Sequence, residues 1–296
     1  MASAFFGDTP RSSPCSAYLP RCRARTIVTT LESEQISVML IVHRHPVVTV
    51  GDSWYEDSTP QPRVDLLASY QSKEPLSRIW SREFYTIVVD LKPEEDMIFS
   101  GMGKTNRYKI SRAAKRDDFR YESWHADANV VIDEFIDFFS AFARNVALPT
   151  PKESWLLSYA EAGALDISRV SDAKGESLVW HTHYRANDCA RLFHSASSFR
   201  NFDDSAQRSL IGRANRYHHW QDMLRFKASG ITTYDFGGWY EGKENEERLR
   251  INQFKEEFGG RVVKSFNSVQ PVTFRGRAYL MARLMRHPKK RLMHMV

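Results

Sequence analysis

Hydrophobic positions along the chain follow two periods, and the points where one gives way to the other predict the elements. Residues 36–42 and 47–50 are β-branched runs separated by His45-Pro46, which reads as two strands and a turn. Residues 52–80 show no period. Residues 84–91 (FYTIVVDL) predict a buried strand, and Pro93 opens a helix expected to reach about Arg116 with a break at Gly101 or Gly103. Residues 119–124 predict a strand. A helix follows over 130–146, where Ile132, Phe135, Ile136, Phe139, Phe142 and Val146 keep helical spacing. Pro149 ends it. Thr150-Pro151-Lys152-Glu153 has the form of a capping box and predicts the next helix, which Gly163 stops.

Three strands are expected next, at 165–170, 177–184 and 190–194, with turns at 172–175 and 186–188. A helix over 204–229 carries its inner stripe on Leu210, Ala214, Tyr217, Gln221 and Leu224. Then come a strand at 231–235, a helix at 245–258, strands at 261–266 and 269–274, and a basic amphipathic tail. From residue 119 the order is β-α-α-β-β-β-α-β-α-β-β. It defines an α/β chain.

Composition narrows the class. With 42% hydrophobic and 26% charged residues the chain is a folded protein, and its apolar runs are too short to span a bilayer. The odd set Cys15, Cys22 and Cys189 implies no disulfide framework. That fits a reducing compartment, and no secretory signal is visible, so a cytoplasmic location is expected. Residues 1–24, punctuated by Pro10, Pro14 and Pro20, read as a flexible leader. The net charge of +6 favours phosphate-bearing partners, or belongs to a soluble protein that is simply basic.

Three segments carry a family resemblance. They are GRANRYHHW at 212–220, GITTYDFGG at 230–238 and FKEEFGG at 254–260. Together they resemble the FemAB branch of the GNAT acyltransferase superfamily. The run at 104–116 (KTNRYKISRAAKR) is similar to the basic helix after the first copy in Fem proteins. The resemblance implies a mixed, mostly antiparallel sheet split into a V that admits the acyl donor, flanked by helices. It implies a shortened first GNAT-like copy at 25–117, an acyltransferase domain at 118–285 and a basic tail at 286–296. The implied activity is acyl or aminoacyl transfer to an amine, with a sugar nucleotide or cell-envelope precursor as the phosphate-bearing acceptor. The donor would be a co-substrate, an aminoacyl-tRNA or an acyl thioester such as acyl-CoA, with no tightly bound cofactor. A GNAT-fold binding module without catalysis, in a polysaccharide or natural-product pathway, is the alternative.

The candidate residues follow from this frame. Asp235 ends a strand before two glycines; it would orient or deprotonate an amine, or hold the turn. The resemblance assigns Lys255 to stabilising the carbonyl oxyanion; spacing alone reads it as a surface lysine. His181 and His183 share one strand face, so a general base is expected at His183, and two ligands alone make no zinc site. Arg200, Asn215, Tyr234, Lys104 and Arg107 are candidates for substrate polar groups, or solvated charges and core in the bland reading. The acetyl-CoA loop is absent: its nearest match, 207–212 (QRSLIG), has Leu210 in place of the first glycine. No Walker loop, G-x-S-x-G or H-E-x-x-H occurs.

Overall fold

A computed structural model describes residues 40–55, 63–77, 81–146, 148–186 and 188–286. The leader, Cys15, Cys22 and the end of the basic tail lie outside the described residues. The strands are β1 (Leu40–Arg44), β2 (Thr49–Trp54), β3 (Leu66–Ser72), β4 (Ser81–Asp90), β5 (Arg120–Trp124), β6 (Leu165–Ser171), β7 (Ser177–Ala186), β8 (Cys189–Ser197), β9 (Thr233–Gly238) and β10 (Arg261–Pro271). The helices are α1 (Glu95–Gly101), α2 (Lys104–Arg116), α3 (Ile132–Val146), α4 (Glu153–Glu161), α5 (Ser205–Ala228), α6 (Glu246–Glu256) and α7 (Phe274–Arg286). Among the described residues no helix is long and apolar enough to cross a membrane.

All ten strands form one sheet in the order β1-β2-β3-β10-β4-β9-β8-β7-β6-β5. Only β2/β3 and β8/β9 pair in parallel; the other ladders are antiparallel. The mixed, mostly antiparallel sheet is the expected one. Its continuity is a new feature: β10 inserts between β3 and β4, so the strands before and after residue 117 share one sheet.

Three local expectations are corrected. β3 lies in the stretch without a period, because six of its seven residues are buried and no alternation marks it. Residues 261–274 form one strand and the start of α7, since β10 runs on through a register shift between Phe266 and Ser268. The capping box does not form: α4 begins after Lys152, with no side-chain cap.

Two helical layers cover the sheet. Ile132, Phe135, Phe139 and Ala143 of α3 pack with α4 against Trp180, Tyr184 and Ala196. On the other face Met223 and Phe226 of α5 pack with Phe258 against Tyr234, Phe236 and Ile87. Each fully buried Phe in these layers contributes about 1.5–3 kcal/mol. Alternation along a strand sends neighbours to opposite layers. It decides the chemistry of β9, where Tyr234 and Asp235 must face apart.

Candidate functional site

The β8/β9 ladder has three pairs, Cys189↔Thr233, Ala190↔Tyr234 and Arg191↔Asp235. β8 has nine residues and β9 six, so most of β8 runs on unpaired on this side. The sheet therefore opens just beyond Arg191 and Asp235. Gly237 (φ 72°) stands at the opening, and a Cβ there would lie 3.2 Å from the Leu192 carbonyl oxygen. Both the backbone angle and the close approach demand glycine.

Asp235 is fully buried and collects donors from distant parts of the chain. Its Oδ1 accepts from the Gly237 N–H at 2.7 Å and from the Thr86 hydroxyl. Its Oδ2 accepts from Gln71 Nε2 at 2.7 Å and from the Tyr55 hydroxyl at 3.2 Å. Tyr55 (φ 62°) and Gln71 (φ 56°) are two of three non-glycine residues with positive φ among the described residues. Both aim at one carboxylate, and such backbone strain persists only where surrounding structure enforces it. The Gly237 bond holds the turn; the other donors come from β3, β4 and the end of β2. Residues before 117 thus build half of this site.

Two cations flank Asp235. Arg191 Nε lies 4.0 Å from Asp235 Oδ2 and, among the described residues, meets no hydrogen-bond acceptor. Its guanidinium rests 4.9 Å over the Trp54 ring and 5.6 Å from the rings of Phe84 and Phe193. Aromatic stacking therefore holds it in place while leaving donor capacity free. Lys255 of α6 reaches over the end of β9, where Nζ donates to the Gly238 carbonyl at 2.5 Å and the Gly237 carbonyl at 3.4 Å. Burial lowers its pKa to about 8; Asp235 opposes that shift and Arg191 adds to it. Burial raises the Cys189 thiol, which rules out a ready thiolate nucleophile beside them.

The sequence candidates separate by sheet face. Tyr234 and His183 are fully buried on the α5 side, where Tyr234 Oη lies 3.0 Å from His183 Nε2 and 2.9 Å from His219 Nδ1. Burial lowers His183 to about 3, with Asp222 opposing, so the ring is neutral. The expectation of a base at His183 and a substrate contact at Tyr234 meets a physical obstacle: both lie in the core, opposite Asp235. Asn215 Oδ1 lies 3.2 Å from His181 Nε2. Arg200 is ion-paired to Glu247 and ties the β8–α5 connection to α6. Arg107 donates to the carbonyls of Ser100 and Met102 (3.1 Å to the latter) and so caps the end of α1. Lys104 is exposed at the start of α2.

α5 adds partners that spacing along β7 does not reveal. His181 Nδ1 is 2.7 Å from Asp222 Oδ2, and Oδ1 accepts from the hydroxyls of Tyr121 and Ser168, each at 2.8 Å. Burial would raise Asp222, but the surrounding histidines and the His181 hydrogen bond hold it well below the carboxylate range. The potential ligand atoms of His181, His218 and Asp222 lie within 4.8 Å of one another. Each already has a protein partner, however, and the His181 and His218 rings stack at 3.7 Å, only 10° from parallel. Two stacked rings do not aim at one ion unless one turns. The group is a hydrogen-bonded core network.

The basic helix contributes on its other side. An open pocket of about 830 Å³ lies between α2 and the first half of α5, lined by Lys109, Arg112, Arg208, Arg213, Arg216, Tyr108 and Phe199, among others. Arg213 binds Asp117 at 2.5 and 2.9 Å, and Arg216 pairs with Glu257. Among the described residues Lys109 and Arg112 have no acidic partner. Tyr108 is 63% and Phe199 40% exposed, so aromatic faces do border these cations. In its lining, Arg216 lies 4.6 Å over the ring of Phe254, the residue before Lys255. Arg191 and the α5 arginines escape sequence reading because no local pattern marks them.

No family model and no curated relative matches the chain. The chain shares its fold with a solved structure, FemX. FemX superposes with a TM-score of 0.59 at 13% identity, over 88% of this chain and 90% of FemX. The C-terminal domain of a putative lysylphosphatidylglycerol synthetase from Agrobacterium fabrum reaches 0.49 at 12% identity, over 84% of this chain and 85% of that one. The FemX likeness shows the fold.

Proposed function

We propose that the protein transfers an acyl or aminoacyl group to an amine, with the donor carbonyl in the opening between β8 and β9. The observation that carries this reading is Lys255. It is a lysine with a lowered pKa, fixed to two glycine carbonyls where the strands part. The acceptor amine adds to the carbonyl carbon and charge passes to the carbonyl oxygen. Lys255, still protonated at neutral pH, donates to that oxygen, and Arg191 adds positive potential nearby. The C–O or C–S bond to the leaving group then breaks, and the amine's proton leaves with that group through solvent. Asp235 keeps Arg191 and the strand end in place; its lone pairs already have donors.

The donor's phosphates fit the pocket of Lys109, Arg112 and Arg208, and Tyr108 and Phe199 suit a base. This favours an aminoacyl-tRNA or acyl-CoA donor. A sugar nucleotide or envelope precursor is the acceptor the reading implies, in the cytoplasm. The test offers charged tRNAs and acyl-CoAs to the purified chain with a panel of such amines and follows label transfer. Transfer by the native protein and its loss in Lys255→Ala are expected. Donor binding without any transfer would instead establish a binding module.

A further inference from the structure

The charge of this protein is unevenly distributed. After Glu257 the chain has no Asp or Glu, yet its last 39 residues hold nine of the 42 Lys and Arg. The whole basic excess lies there, and the preceding part is net acidic. α7 occupies the middle of this stretch. Its inner face is closed: Leu280 is buried with Val48, Leu66 and Val269, and Gly276 abuts the Asp65 backbone too closely for any side chain. Its outer face is apolar. Phe274 is 87% exposed, Met281 50% and Met285 76%, and exposed Ala278 completes a stripe at spacings of four, three and four. Arg277 borders the stripe and is exposed; Arg275, also exposed, pairs with Asp65 at 3.1 Å.

We propose that α7 docks the protein on an anionic lipid bilayer. Phe274, Met281 and Met285 would enter the headgroup boundary while Arg277 meets lipid phosphates. An apolar stripe facing water, bordered by arginine and free of carboxylates, is the pattern of a helix lying in a membrane interface. Lysines and arginines beside it add attraction to an anionic surface. A nucleic acid would use the arginines but gives no role to the exposed methionines. A second copy docked stripe to stripe would set like charges against each other. α7 flanks β3 and β10, away from Lys255 and Arg191, so docking is independent of the transferase reading.

Cosedimentation of the full chain with vesicles tests this. Vesicles of phosphatidylglycerol and phosphatidylcholine in equal parts should retain the protein and release it as salt rises; pure phosphatidylcholine should not. The double variant Met281→Ser with Met285→Ser removes apolar surface without changing charge. It should lower partitioning by about tenfold or more while leaving the unfolding midpoint unchanged. Arg277→Glu should weaken binding to the anionic vesicles only. The proposal is overturned if the anionic vesicles do not retain the protein, or if the serine variant binds them as well as the native chain. It is equally overturned if the substitutions instead abolish self-association or binding to tRNA with no vesicle binding present.

Discussion

The two faces of β9 differ by one residue in sequence and by nearly everything in physical character. On the Tyr234 face, the Tyr234 hydroxyl joins the buried rings of His183 and His219, while Asp222 gathers buried His181 and Ser168 together with half-buried Tyr121. On the Asp235 face the carboxylate is equally well served, but Arg191 keeps an unused donor and Lys255 a labile proton. The first arrangement stabilises a core. The second leaves chemistry unfinished at an opening. Position at the opening of the sheet, rather than residue type, separates the two faces here.

Substitutions should separate the two faces. The largest effect is expected for Asp222→Ala, which takes the carboxylate from fully buried His181 and from the hydroxyls of Tyr121 and Ser168. It should cost about 3–5 kcal/mol of stability in urea unfolding. Lys255→Ala should do the reverse, lowering the transfer rate about 10²–10³-fold while changing stability by less than about 1 kcal/mol. An unfolding midpoint that moved as far as the rate would merge the faces again.

The pH dependence sharpens the contrast because the two faces titrate in different windows. Lys255 acts as an ammonium, so the transfer rate should fall as pH rises through about 8. His183 sits near 3 in the folded protein against an ordinary 6.5. The unfolded chain therefore takes up this proton first. The stability is fully present above pH 6.5 and is lost as pH falls toward 3, by up to about 1.4 kcal/mol per pH unit. Unfolding titrations from pH 7 to 4, compared with those of His183→Phe, measure it. The smallest effect is expected for Tyr234→Phe: about 1–2 kcal/mol from the hydrogen bonds to His183 and His219, with the transfer rate intact.

Much of the fold was legible in the sequence. Helical spacing places α3 and the long α5, and glycines mark the breaks on either side of Met102 and the turn at Gly163. The FemAB-like motifs point to the opening beside Gly237 and to Lys255. The environment of Asp235 was not legible. Its donors Tyr55 and Gln71 lie 180 and 164 residues away and arrive only because β2 and β3 carry left-handed residues at their ends. His181 and His183 show a period of two, but it leaves their depth unstated. Only the packing of α5 reveals that they face a core aspartate. Arg191 is a lone arginine in a strand, and its meaning comes from three aromatic rings brought from elsewhere.

The placement of β10 has a consequence for the order in which the molecule is made. β3 and β4 emerge from the ribosome early, yet the strand that joins them is β10, which pairs Val269 with Ala68 and Val262 with Ile87. Until residues 261–271 appear, two strand edges of the nascent chain stay unpaired and open to wrong partners. Assembly of the sheet must wait for late synthesis, and a pause or truncation before Arg261 would leave a chain that holds the Asp235 motif but has no completed sheet to support it.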